Sequence, residues 1–527
     1  MATARSSALP VVLSVLLAAC RGGDEPKSGA GGRGDDAGDG GDGGDAGDGG
    51  DGGDGGGGDS GAITSPGPII VAGGGTEGEV GEPEAWSARL YAHLLDAGDV
   101  SGDGRVEVLV LSAAEESEWI PEYLVSLGAD GAENLRVSTR EAADDEALND
   151  RFAAADAVFI KGGDQGEYYD LWNDRAVEAG IRAVREAGGG LGGTSAGAMS
   201  LAGFALAGGR DLISSDVLAD ACTRYLDDQT DGGSAIHPDF LDAVPGTLID
   251  THFTERGRLG RLTGALARAV EDSGDASILG VGLEQQTGLW IEGGRATVIG
   301  VGSVAFLRAD PSAPPLRECG RPLQWTGLSL GVLTDGWVWD LTAGGVLERP
   351  SDAVTVAAAG AGVAAPSGWA ARGGSPEDEE NFGLVVERGD APFRLRSSAA
   401  MAPWEGAFGL LDAHNEDRRA VAQEAAFAAL AEEPSAVGWL VGAGSRLEGS
   451  ATIAVRAGDD PAEAPLSALI LDGADLRATG RSATVSPYDA GDGGLHAAAL
   501  EGLRLDVLYS DEGGATYDPE VRRVESP

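Results

Sequence analysis

The sequence predicts an α/β protein with a mainly parallel sheet and helices on both faces. Three observations predict it. From Pro68 onward, short apolar runs alternate with amphipathic stretches. Several of those runs end in glycines, at Gly73-Gly74-Gly75, Gly162-Gly163 and Gly192-Gly193. And the segment Gly193-Thr194-Ser195-Ala196-Gly197 has the Gly-x-Ser-x-Gly pattern of a strand-to-helix turn that carries a nucleophile.

The elements follow in order. Ile69-Ile70-Val71-Ala72 reads as the first strand. The helix after it places Trp86, Leu90 and Leu94 on one face. Val106 to Leu111 reads as a second strand, followed by a short helix around Tyr123 and a strand near Leu135 to Val137. Ala154 to Ile160 is another strand, and the next helix aligns Val177, Ile181 and Val184. In such sheets ligands bind outside the carboxyl ends of the strands, where the glycine-rich segments fall. Asp99-x-Ser101-x-Asp103-Gly104 imitates the start of a calcium loop, but Val110 stands where the bidentate acid belongs, so a polar turn is the reading.

Composition limits the function. The chain has 527 residues, which implies two or three domains. Its net charge of −49 excludes a generic nucleic-acid binder, which needs a basic face. Arg5, the apolar run Ala8 to Ala19 and Leu17-Ala18-Ala19-Cys20 read as an export signal, residues 1–20, that resembles a lipobox with Cys20 lipidated. The membrane is reached only through that anchor. Residues 21–67 read as a disordered tether, since residues 31–60 hold nine Asp and one Arg and have no apolar surface to bury. Cys222 and Cys319 remain, and the sequence leaves open whether they pair.

Four motifs in order give the chain a family likeness. They are Phe159-Ile160-Lys161-Gly162-Gly163-Asp164-Gln165; Gly193-Thr194-Ser195-Ala196-Gly197-Ala198; Asp250-Thr251-His252-Phe253 with Arg256, Arg258 and Arg261; and Ile278 to Gly302. On these the chain resembles cyanophycinase and the related serine peptidases that include aspartyl dipeptidase, from Pro68 to Pro350. The resemblance implies a three-layer sandwich like the class I glutamine amidotransferases over residues 68–350. It implies Ser195 as nucleophile, His252 as its base, and oxyanion donors at Gly163 and Ala196. A substrate pocket with Gln165, Asp250, Arg256, Arg258 and Arg261 is also implied. No metal or cofactor is implied. Thr251 departs from the family, which has glutamine before the histidine.

The residues themselves agree on the pair. A serine hydroxyl is a weak nucleophile until an imidazole takes its proton. Of His93, His237, His252, His414 and His496, His252 alone has a matching acidic and basic neighbourhood. The resemblance implies an acid between the serine and the histidine, so it is expected at Asp211, with Asp216 next and Glu284 third. The arginines suit a carboxylate-rich substrate, because guanidinium groups bind carboxylates bidentately. Residues 351–527 read as a separate α+β or β-rich domain without a catalytic constellation. The expected activity is an exported serine exopeptidase acting on cyanophycin, the β-Asp-Arg polymer, or on acidic or aspartyl peptides. The alternatives are an aspartyl dipeptidase with another substrate and a lipoprotein that only binds a ligand on this fold. The sequence does not give the oligomeric state.

Overall fold

The structure, a computed structural model, describes residues 67–114, 117–207, 212–227, 234–356 and shorter stretches between 369 and 525. The expected signal, Cys20 and the tether lie outside the described residues.

In chain order the first half runs β1 (Ile69–Ala72), α1 (Trp86–Tyr91), β2 (Glu107–Ser112), α2 (Trp119–Leu127), β3 (Gly131–Arg136), α3 (Arg140–Ala143), α4 (Ala147–Ala154) and β4 (Ala157–Ile160). Then come α5 (Gln165–Trp172), α6 (Ala176–Glu186), β5 (Gly190–Thr194), α7 (Ala196–Ser200), β6 (Ala205–Leu206), α8 (Ser214–Ala219) and β7 (Ile236–His237). The second half adds β8 (Thr247–Asp250), α9 (Leu259–Ser273), β9 (Leu279–Leu283), β10 (Thr287–Glu292), β11 (Arg295–Gly300), β12 (Ser303–Arg308), β13 (Trp325–Thr334), β14 (Val338–Asp340) and β15 (Gly345–Glu348).

The first sheet has the order β15-β14-β11-β10-β1-β5-β4-β2-β3. Its strands β1, β5, β4, β2 and β3 are parallel, and β10 joins β1 antiparallel. Alternation along β1 sends Ile70 and Ala72 into one core with Leu90, Tyr91 and Tyr123, while Ile69 and Val71 enter another with Phe152, Val177 and Ile181. Helices therefore cover both faces. The expected alternation holds, but the strand expected from Ala154 begins at Ala157, and two other elements shift. The helix begun at Trp86 tightens to a 3₁₀ turn over Ala92–Ala97, which still buries Leu94, and the strand expected near Leu135 starts at Gly131.

A second sheet has the order β8-β9-β12-β13 and continues into the strand His496–Tyr509. Its Ile249, Val281 and Phe306 share a core with the first sheet, and its Leu248, Ala305 and Leu307 pack with Leu262 and Leu266 of α9 on the other face. Sheet pairing runs across Pro350, since β13 pairs antiparallel with His496–Tyr509, Leu330 opposite Leu503. Arg349 reinforces the junction with two bonds to Glu501, 2.6 and 2.7 Å. Cys222 and Cys319 form a disulfide, which settles the pairing that the sequence left open. Asp99 accepts from the N–H groups of Gly102, Asp103 and Gly104, a polar turn closed on itself.

Candidate active site

Parallel register brings the carboxyl ends of the strands together. Ala72 of β1 lies opposite Thr194 of β5, and Ile160 of β4 opposite Gly193. In the second sheet Asp250 of β8 lies opposite Gly282 of β9. The candidate residues occupy the loops leaving these ends. Ser195 follows β5 directly, with φ 53° and ψ −121°. A left-handed backbone costs a non-glycine residue on the order of 1–3 kcal/mol and marks a functional turn. Gly197 makes the turn possible, because a Cβ there would lie 2.1 Å from the Ile160 carbonyl oxygen.

His252 leaves the end of β8, also at positive φ, 46°. Its N–H donates to the Gly73 carbonyl at 3.0 Å. Gly74, at φ +92°, makes room for the ring, since a Cβ there would come within 2.6 Å of Cε1. The glycine loop after β1 thus seats the imidazole. Ser195 Oγ and His252 Nε2, 57 positions apart in sequence, stand 2.8 Å from each other. On the far side of the ring, Gln285 Nε2 is 2.8 Å from Nδ1. Burial pushes the His252 imidazole down to about 3, and the positive charges of Arg256, Arg258 and Arg261 act in the same direction. The ring is neutral at neutral pH and has a lone pair for a proton.

The loop after β4 lies against the serine: a Cβ on Gly162 would be 3.4 Å from Ser195 Cβ. The Tyr168 hydroxyl is 3.0 Å from both the Lys161 and Gly162 carbonyls and pins this loop, which carries Gly163. Ala196 is the first residue of α7, so its N–H has no acceptor within the helix. Gln165 opens α5 half-buried, beside Asp164, whose side chain caps that helix through Gly166 N–H at 3.0 Å.

Neither Asp216 nor Glu284 is found at the histidine. Asp211 lies outside the described residues. Asp216 accepts from Ile213 N–H at 3.0 Å and caps α8. Glu284 is taken up by Thr254 Oγ1 at 2.5 Å and by Ser303 N–H and Oγ at 2.6 and 2.7 Å. The structure therefore corrects the readings of Asp216 and Glu284. Behind the histidine instead lies a buried pair of carboxyls. Burial pushes Glu255 up to about 8, with the charge of Glu284 adding, and burial raises Glu284 as well. Glu255 Oε1 accepts from Gln285 N–H at 3.0 Å.

Asp250, Arg258 and Arg261 are corrected too. All three are buried, 0 %, 6 % and 2 % exposed. Arg258 Nη1 lies 3.2 Å from Asp250 Oδ1 and Arg261 Nε 3.0 Å from Oδ2. Arg258 also donates to the Thr251 carbonyl at 2.7 Å. These charges answer one another beneath the His252 loop rather than a substrate, because an uncompensated charge there would be costly. Arg256 is exposed. The region beyond residue 350 reaches this loop as well. Gln423, 1 % exposed, accepts from Leu259 N–H at 3.0 Å and donates to Thr254 Oγ1 at 3.1 Å.

The sequence does not point to Gln285, Gln423 or Glu255. Gln285 follows the end of a strand, where the parallel-sheet rule places a site, but a neutral amide carries no titratable signal. Among the described residues no group of three or more His, Cys, Asp or Glu is placed to hold a metal ion.

Comparison with known proteins adds the following. The model of Peptidase family S51 matches residues 114–210. The chain is 31 % identical over 222 residues to a cyanophycinase of Synechococcus elongatus, covering 41 % of this chain and 62 % of the relative. It is 28 % identical over 246 residues to a cyanophycinase of Geminocystis herdmanii (strain PCC 6308), covering 45 % and 82 %. The chain thus spans less than two thirds of the length of the first of these relatives. The crystal structure of a peptidase from an acI-B1 Actinobacterium is 20 % identical, with a TM-score of 0.35, covering 53 % of this chain and 98 % of that one. The serine turn thus lies within the stretch that matches Peptidase family S51, and the chain is similar to cyanophycinases over part of its length.

Proposed function

We propose that this protein is an exported, lipid-anchored serine exopeptidase that hydrolyses cyanophycin or related aspartyl peptides. The observation that carries the chemistry is the 2.8 Å approach of Ser195 Oγ to His252 Nε2 at a strained strand-to-helix turn. Ser195 Oγ attacks the scissile carbonyl while His252 Nε2 takes its proton. The backbone N–H groups of Gly163 and Ala196 are proposed to hold the oxyanion. Collapse expels the amine, which receives the proton from His252, and leaves an acyl-serine. Water, deprotonated by the same imidazole, then releases the acid and restores the serine. The aspartyl preference rests on the similarity to cyanophycinases and on exposed Arg256 beside His252. The disulfide supports an oxidising compartment.

The test is release of β-Asp-Arg dipeptide from cyanophycin by the purified protein. Ser195→Ala is expected to lower turnover by at least ~10⁴-fold while the fold is kept. Wild-type turnover in that variant would refute the mechanism. One observation favours the non-catalytic reading, a neutral amide at His252 Nδ1. An unreactive Ser195 in a folded protein would establish it.

A further inference from the structure

Gln285 stands where a serine–histidine pair has its third group, and it is an amide. Its Nε2 lies 2.8 Å from His252 Nδ1. In that orientation the amide N–H donates, Nδ1 accepts, and the imidazole carries its proton on Nε2, facing Ser195. Such a ring does not take the serine proton. Turning the terminal amide by 180° presents Oε1 instead. Nδ1 then bears the proton, and Nε2 becomes the acceptor that Ser195 needs. A carboxylate has no such pair of states, because both of its oxygens accept.

We propose that Gln285 is the positioning residue that sets the tautomer of His252, so that Ser195 is activated through a neutral amide and in only one of its two orientations. The inference rests on the reading of Ser195 as nucleophile. The main chain around Gln285 is fixed on both sides. Its N–H donates to Glu255 Oε1 at 3.0 Å, and Gln286 N–H donates to the Gly74 carbonyl at 2.7 Å. Gly74 is the residue beneath the His252 ring, so one loop registers the imidazole and the amide together. The side-chain amide is the part that turns.

The charged groups around the ring decide the consequence. Arg256, Arg258 and Arg261 contribute positive charge from the loop after β8 and from α9. Asp250, at the end of β8, is engaged by Arg258 and Arg261. Glu255 and Glu284 lie behind Gln285, and burial favours the protonated form of both. With an amide rather than an anion against Nδ1, the imidazolium is opposed by burial and by the guanidiniums. The base therefore stays free to low pH, but the positive charge it gains in the transition state is poorly stabilised.

The test uses the full chain and diisopropyl fluorophosphate. Ser195 Oγ forms a bond to phosphorus, fluoride leaves, and the serine proton passes through His252 Nε2 to solvent. The adduct is read by mass spectrometry of the Ser195 peptide, as a rate between pH 3 and 9, in the wild type, Gln285→Glu and Gln285→Met. An acid-to-amide change in a serine triad costs up to about 10⁴-fold when it imposes the wrong tautomer. Gln285→Glu is accordingly expected to label at least ~10-fold faster at neutral pH, with its acid limb moved upward, because an anion at Nδ1 stabilises the imidazolium. Gln285→Met, similar in length but without either polar atom, is expected to label at least ~10-fold slower. Equal rates in the wild type and Gln285→Glu, or an identical acid limb in both, would overturn the proposal even if Gln285→Met fails to fold. Absence of labelling in both folded proteins would instead overturn Ser195 as the nucleophile. Labelling that appears only in Gln285→Glu would overturn activation through the amide, since the wild-type serine would then be inert.

Discussion

The Asp250→Asn substitution keeps the shape of the side chain and removes the charge that Arg258 and Arg261 share. Asp250 is fully buried, and the two arginines are 6 % and 2 % exposed. Breaking a buried pair by removing one partner costs about 3–5 kcal/mol, because the other charge is left desolvated. Here one carboxylate answers two guanidiniums at 3.2 and 3.0 Å, which places the loss in the upper part of that range. Domains are stable by only about 5–15 kcal/mol, so the variant is expected to remain folded but close to its limit. With a urea slope of about 3 kcal/mol per molar, the midpoint should fall by about 1.5 M. The measurement is a urea titration at pH 7 followed by circular dichroism, with reversibility checked by dilution. Adding Arg261→Met should recover part of the loss, since one orphaned cation is then removed. A midpoint within about 0.3 M of the wild type, together with a raised KM for acidic peptides only, would refute the reasoning. It would show that these three residues read substrate, as the sequence alone predicted.

Three further outcomes are expected. The Glu255 carboxyl is raised in the fold to about 8 from an ordinary 4.5, so its contribution to stability is full below about pH 4.5 and lost as the pH rises through 8; thermal melts should show Glu255→Gln losing less stability than the wild type from pH 5 to 8, and parallel curves would refute the assignment. The disulfide spans 97 positions, and in the chain-entropy model closing such a loop contributes about 4–5 kcal/mol; the Cys222→Ser, Cys319→Ser double variant should melt well below the wild type without reductant, and equal melting temperatures would count against the bond. Cys20→Ser should move the protein from the membrane fraction to the soluble fraction of the exporting host, and unchanged fractionation would rule out lipidation as the attachment.

Local chemistry was legible from the sequence wherever a residue announces itself. The turn at Ser195 follows from glycines on both sides of a serine after an apolar run, and the strands ending in glycine pointed to the right edge of the sheet. His252 stood out by its charged neighbours. The third group did not, because its place depends on the parallel pairing of β8 with β9, which sets Gln285 beside a histidine 33 positions away. Charge also misleads: in sequence Asp250, Arg258 and Arg261 suit a substrate, and only the fold brings the carboxylate against both guanidiniums. Pro350 looked like a boundary because the family likeness stops there, whereas hydrogen bonding across it joins β13 to the strand His496–Tyr509.

That joint has a consequence for how the protein is made. Trp325 pairs with Val507 and Val332 with Leu500, so β13 leaves the ribosome long before the strand that covers its edge. Until then its row of N–H and C=O groups is open to any other extended chain. Contacts this distant in sequence close slowly, and intermediates with bare strand edges aggregate. The export proposed above would offer a way round the problem, since a chain threaded through a membrane unfolded would reach the other side with both strands available within moments of each other. A protein cut at Pro350 would keep Ser195, His252 and Gln285 and yet carry a permanently unpaired edge.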